Sequence, residues 1–215
     1  MEEIKFNSID EAKNLILKKI NSNKEALDIE RSLSMSGVVE NSVSVIELKD
    51  KWIVSCLRFD PCPIDYFSKN DDAVGELLCF NSEEERDEKL NELKKSKKLF
   101  YLVDKYKHGL VHFSVTGTKS YPDSRWDVAH GCAIYIPCED IQKQYQKMLK
   151  NKSKEAAYRE FIKDSNTILN EYSEWCNGEV YGYSVKIFDK RGKELETEEC
   201  WGLIGYKYAN EEKEK

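Results

Sequence analysis

The chain has no apolar run near the roughly 18 to 20 residues that cross a bilayer, so no membrane-spanning helix is expected. Its first residues, Met1-Glu2-Glu3-Ile4-Lys5, are acidic and lack an apolar core, and no secretory signal is read there. It has no excess of positive charge. The 34 Lys and Arg are outnumbered by 40 Asp and Glu, for a formal net charge of −6. That argues against a strongly basic nucleic-acid binder, because phosphate binding needs concentrated Lys and Arg. The same 34 basic residues argue against a whole-surface mimic of DNA. There is no C-x2–4-C knuckle, no P-loop, no G-x-S-x-G and no G-x-G-x-x-G. The standard structural zinc, nucleotide and serine-hydrolase signatures are therefore missing. No internal repeat or low-complexity linker interrupts the chain.

What is present describes a globular protein. The 215 residues are 40% hydrophobic and 11% aromatic, enough to bury a real core. Charged residues reach 34%, so the surface is dense in charge and mixed in sign. Seven cysteines stand at irregular positions: Cys56, Cys62, Cys79, Cys132, Cys138, Cys176 and Cys200. Without a signal they read as reduced thiols of a cytosolic protein. Cys56, Cys79 and Cys132 lie in apolar segments, where Cys acts as a small hydrophobe.

Periodicity gives the elements. Ser8 with Glu11, then Ile9, Ala12, Leu15, Ile16 and Ile20, predicts a capped helix over 8–20. Residues 38–48 and 52–59 predict two strands around the turn Lys49-Asp50-Lys51, ended by Asp60-Pro61-Cys62-Pro63. A strand over 74–80 precedes a helix opened by Ser82 and Glu85 and running to about Lys98. Strands follow over 99–103 and 110–115, with 104–109 as a polar loop between them, and a Gly/Ser/Pro/Asp-rich loop spans 116–125. Cys132–Ile136 is a strand. A long helical region then carries Ile141, Tyr145, Met148 and Leu149, breaks near Asn151-Lys152-Ser153, and continues through Ala157, Phe161, Ile168, Tyr172 and Trp175 to a stop at Asn177-Gly178. Residues 180–188 and 200–208 are the last two strands, with Gly182, Gly202 and Gly205 marking bulges or close backbone approach. The expected class is α+β: a mainly antiparallel sheet with an N-terminal helix, a middle helix and a long helical region before two C-terminal strands. One domain over 1–208 and a charged, frayed tail over 209–215 are expected.

The most informative stretch for function runs from His108-Gly109 to Trp126-Asp127 and on to the strand from Cys132. His108 and His130 read as loop residues, and His112 lies in a strand. A pairing of His108 with Asp127 would orient an imidazole for proton transfer. The same pairing would equally tie two loops together. The catalytic candidates are therefore His108, Asp127 and His130. His130, Cys132 and Cys138 have H-x-C-x5-C spacing, which is not a zinc pattern. Pro137-Cys138-Glu139-Asp140 resembles the opening of a deaminase P-C-x-x-C but lacks the second Cys and an H-x-E. Cys132 is set in Ala133-Ile134-Tyr135 and reads as a core thiol rather than a nucleophile. No metal or cofactor is expected. Asp71-Asp72 and Glu83-Glu84-Glu85 read as a solvated loop and helix start, with a basic partner as the alternative. Tyr101, Tyr106, Tyr121, Trp126 and Tyr135 crowd this region, and exposed Tyr121 and Trp126 would serve as interface anchors. The expected partner-binding residues are Tyr106, His108, Tyr121, Arg125, Trp126 and Asp127.

Four blocks resemble a family of uncharacterised proteins of bacteriophages, prophages and conjugative elements. Asp72-Ala73-Val74-Gly75-Glu76-Leu77-Leu78-Cys79-Phe80-Asn81 is similar to its D-N-L-G-x-M-x-C-F-H. Tyr106-Lys107-His108-Gly109 is similar to its Y-[DE]-H-[SG]. Trp126-Asp127 with Ile134-Tyr135 resembles C-P-W-D-S-G-Q-x-G-x-I-Y. Glu179 to Tyr183, closing with Cys200-Trp201-Gly202, resembles G-D-V-Y-G-[YF] and S-C-W-G-[FL]. Ser124-Arg125 stands where the family has Cys-Pro, Val128-Ala129 replaces Ser-Gly, and Asn81 replaces His. The resemblance implies a mobile-element accessory protein acting in a bacterial cytoplasm on host defences. Two functions follow as expectations. One is inhibition of a CRISPR-type or restriction effector by protein binding. The other is metal-independent cleavage of RNA such as a guide RNA, with His108, His112 or His130 moving protons and Lys105, Lys107 or Arg125 meeting phosphate charge. A structural or assembly protein of the element is a third, blander reading.

Overall fold

The computed structural model describes residues 3–19, 29, 33, 37–68, 74–122 and 124–215. The acidic pair Asp71-Asp72 and the first two residues of the first family-like block lie outside them. The class is α+β, with two separate antiparallel sheets. Where the sequence reading expects one domain, the chain divides into two compact units, residues 1–63 with 179–215 and residues 64–178.

The first unit is a five-stranded sheet. Strands β1 (Glu3–Phe6), β2 (Val43–Glu47) and β3 (Lys51–Phe59) pair in sequence, and β3 then pairs with β8 (Val180–Asp189), which pairs with β9 (Glu194–Ile204). Phe59 stands opposite Tyr181, so the strands flanking the second unit's sequence are direct neighbours. Helix α1 (Ile9–Lys19) opens with a reciprocal cap: the Glu11 N–H donates to Ser8 Oγ, and the Asn7 N–H to Glu11 Oε2. Its Ala12 and Ile16, one turn apart, are fully buried against Val43, Val45, Trp52, Val54 and Phe188. Gly182 sits at a register shift between β8 and β9. A Cβ there would stand 2.3 Å from the Trp201 ring, so only glycine fits.

The tail is ordered. Residues Tyr206–Lys213 form helix α7 rather than a strand end and a frayed terminus. Ala209 buries itself against Leu57, Tyr181 and Leu203, and Lys213 Nζ donates to the Ser42 carbonyl at 2.7 Å. Charge density hid this helix, because Ala209 is its one buried residue.

The second unit carries a four-stranded sheet in the order β4 (Glu76–Cys79), β7 (Val128–Ile136), β5 (Tyr101–His108) and β6 (Leu110–Val115). One face is covered by α4 (Glu139–Met148), α5 (Lys154–Glu160) and α6 (Ile162–Cys176), which bury Tyr145, Ala157, Phe161 and Leu169 on Tyr101, Val103, Phe113 and Tyr135. The expected break at 151–153 is real, and Ser153 caps α5 by accepting from the Ala156 N–H. The other face is covered by α2 (Glu83–Ser96), whose Leu90 and Leu93 pack on Ile134. Ser82 and Glu85 form the expected box at its start.

Helix α6 also covers the open edge of β6. The N–H groups of Val111, Phe113 and Val115 donate to Asn177 Oδ1, Ser173 Oγ and Asn166 Oδ1 at 2.8–2.9 Å. Asn177 Nδ2 also donates to the Val111 carbonyl. Side chains thus stand in for a fifth strand and blunt a reactive sheet edge. Among the described residues no helix is long and apolar enough to cross a membrane.

Candidate functional site

Two expectations about this region change. Residues 104–108 are not a loop. They continue β5, which lies between β7 and β6, so its backbone is laddered on both sides. His130 likewise lies in β7, not in a loop. The segment looked loop-like because five polar or amphipathic residues follow one another, with Asp104, Tyr106 and His108 on one face and Lys105 and Lys107 on the other. Only Gly109 separates β5 from β6, and its φ of +78° is the left-handed conformation that a turn of this kind needs.

Side chains alternate along a strand, so Asp104, Tyr106 and His108 share one face of β5. His112 is the cross-strand partner of Tyr106. The Tyr106 ring lies nearly parallel to its neighbours: Tyr121 at 4.6 Å, His112 at 6.2 Å and His108 at 6.4 Å between centroids. Tyr121 is half-buried rather than free, and its hydroxyl donates to Ser114 Oγ at 3.0 Å.

Two histidine–aspartate pairs flank this row. His108 Nδ1 lies 2.9 Å from Asp127 Oδ2, the pairing that the sequence suggests. Asp127 ends the short helix α3 (Ser124–Asp127), so the pair ties that helix to the hairpin tip. His130 Nδ1 lies 3.2 Å from Asp104 Oδ2. Both imidazoles are open to solvent, at 70% and 64% of their side chains. Each imidazole bonds its aspartate through Nδ1, so Nε2 is the ring nitrogen left to a ligand.

Asp104 is the buried foundation, 3% exposed. Its Oδ1 accepts from Thr116 Oγ1 at 2.6 Å and from the Gly131 N–H at 2.8 Å. Burial pushes its pKa up, but Thr116, Gly131 and His130 outweigh burial and hold the carboxyl below its ordinary value. Asp104 was missed as a site residue. Its spacing of two from Tyr106 was the available signal.

All three histidines therefore meet on one face, with Tyr106, Tyr121, Asp104 and Asp127. Trp126 and Arg125 stand beside them on α3, and Trp126 is 85% exposed. Leu110, at the hairpin tip, is also exposed. Two candidates fall away from this face. Lys105 lies over the Phe113 ring on the helix-covered side, and Lys107 pairs with Val111, which packs on that same core. Among the described residues no three of His, Cys, Asp and Glu gather where a metal ion would sit. Burial raises the Cys132 thiol pKa, as a core thiol requires.

No family model, curated protein or solved structure matches the chain.

Proposed function

We propose that this chain is an accessory protein of a mobile genetic element that inhibits a bacterial defence effector by binding it through the Trp126 face. The setting is the bacterial cytoplasm, and the effector is a CRISPR-type nuclease or a restriction enzyme. The observation that carries the reading is Trp126, a large aromatic held out into solvent on a helix anchored by Asp127 to His108. Tyr106, Tyr121 and the imidazoles extend the same surface. Tryptophan and tyrosine on rigid supports are the residues that dominate binding energy at protein interfaces. The resemblance of four ordered blocks to proteins of phages and conjugative elements is what suggests the biological setting.

Trp126→Ala tests the reading against a purified effector. Loss of inhibition, with the circular dichroism spectrum unchanged, is expected. Inhibition retained in both Trp126→Ala and Arg125→Ala would contradict it.

The solvent-exposed imidazoles of the two histidine–aspartate pairs favour a second reading, metal-independent cleavage of RNA. There His108 and His130 exchange protons through Nε2, and of the basic candidates Lys105, Lys107 and Arg125 it is Arg125 that meets phosphate charge, because Lys105 and Lys107 point to the opposite face. Turnover separates the readings. An inhibitor acts at stoichiometric dose, whereas a nuclease acts far below it and leaves shortened RNA. If His108→Ala and His130→Ala leave cleavage intact, the nuclease reading fails.

A further inference from the structure

A second polar centre lies in the first unit, remote in function from the histidine face. The β2–β3 turn and the β8–β9 turn emerge at the same end of the five-stranded sheet, because Lys51 is the cross-strand partner of Asp189. Asp189 fixes the second turn: its Oδ1 accepts from the N–H groups of Arg191 and Lys193, both at 2.9 Å. Lys190 is thereby held in place. Lys49 comes from the first turn and Lys19 from the last turn of α1. The three lysines line a cavity of about 590 Å³, with Trp52 and Glu47 also in its wall.

The arrangement inside is specific. Glu47 accepts from Lys19 Nζ at 2.6 Å through one oxygen and from Lys190 Nζ at 2.9 Å through the other. The same two ammoniums stand over the Trp52 ring, at 5.2 and 4.0 Å from its centroid. Among the described residues the Trp52 indole N–H, though buried, has no acceptor. Three ammoniums against one carboxylate leave the lining at +2, in a chain whose net charge is −6. A cleft with a net excess of one sign and apolar walls focuses its field on an incoming ion of the other sign.

We propose that this cavity binds a phosphate monoester. Two or more converging ammoniums match a dianion, and the single Glu47 carboxylate occupies in the free protein the place that the phosphate takes. Ile4 and Leu48 give the organic part of the ester an apolar wall. The volume exceeds what inorganic phosphate needs and falls in the range of small-molecule sites. This site is independent of the function proposed for the Trp126 face.

Calorimetric titration of the full chain with AMP, inorganic phosphate and adenosine tests it. AMP is expected to bind saturably with a dissociation constant below about 1 mM, and to weaken as salt rises. Adenosine, which has no phosphate, is expected not to bind. Lys49→Gln and Lys190→Gln each weaken AMP by about tenfold or more. Glu47→Gln tightens it, since that change removes the competing carboxylate and raises the lining to three unopposed positive charges. A Glu47 that served only as a structural ion pair would not move binding in that direction. Inorganic phosphate binding without AMP binding, equal binding of adenosine, no saturation by either phosphate probe, or Glu47→Gln that fails to tighten would each overturn the proposal. Circular dichroism of each variant separates lost binding from lost folding.

Discussion

Asp104 shows how one residue can hold both a fold and a candidate site together. Its carboxylate satisfies a buried backbone N–H, a threonine hydroxyl and an imidazole at once. Asp104→Ala leaves the first two without an acceptor and is expected to destabilise the chain by about 2–4 kcal/mol, read as a lower urea midpoint. Because its folded pKa lies below the ordinary 3.8, the carboxylate's contribution is complete above that value. It fades as pH falls through the lower folded value. The stability gap between wild type and Asp104→Ala is therefore expected to be constant from neutral pH to about 4 and to narrow only below it. A gap that closes near pH 6 would contradict the assignment. Cysteine gives a second test at this scale. Burial pushes the Cys56 thiol up to about 11, while Cys62 is exposed. In the native state iodoacetamide is expected to label Cys62 well before Cys56, by mass spectrometry of digested protein.

Among the elements, α6 does more than cover a core. It supplies Asn166, Ser173 and Asn177 as acceptors for the edge of β6. Asn177→Ala removes one of these bonds and the Nδ2 bond to the Val111 carbonyl, and is expected to cost about 1–3 kcal/mol. The triple Asn166→Ala, Ser173→Ala, Asn177→Ala variant bares the edge and is expected to self-associate in sedimentation experiments, since open edges template pairing. A triple variant that stays as monodisperse as wild type would remove the role given to these side chains. In the sequence Asn166 and Ser173 read only as the polar side of a helix and Asn177 as its stop, because nothing local says which strand they face. The capping boxes at Ser8 and Ser82 were legible, since both partners lie three residues apart. The strand from Asp104 to His108 was not: polar residues occupy both of its faces, so the sequence shows no apolar alternation and resembles a loop.

At the scale of the molecule, the division into two units was hidden by local punctuation. Pro63 and Gly178 read as the end of a strand and of a helix, and they lie just beyond the ends of β3 and α6. They also bound the segment set between β3 and β8. The pairing of Phe59 with Tyr181 spans the whole second unit and leaves no local trace. The contact between His108 and Asp127 was legible because both residues belonged to one short stretch of motifs. Its exposure, and the gathering of the third histidine and Asp104 on the same face, needed the fold. The central claim is that this face binds a partner protein and that Trp126 anchors it. The most direct measurement compares tagged wild type with Trp126→Ala in pull-downs from a bacterial host lysate, with and without ribonuclease, identifying bound protein and RNA. The account predicts one defence nuclease at near-equal stoichiometry with wild type, unaffected by ribonuclease and lost with Trp126→Ala. The same catch from both proteins, or shortened RNA with no protein partner, would contradict it.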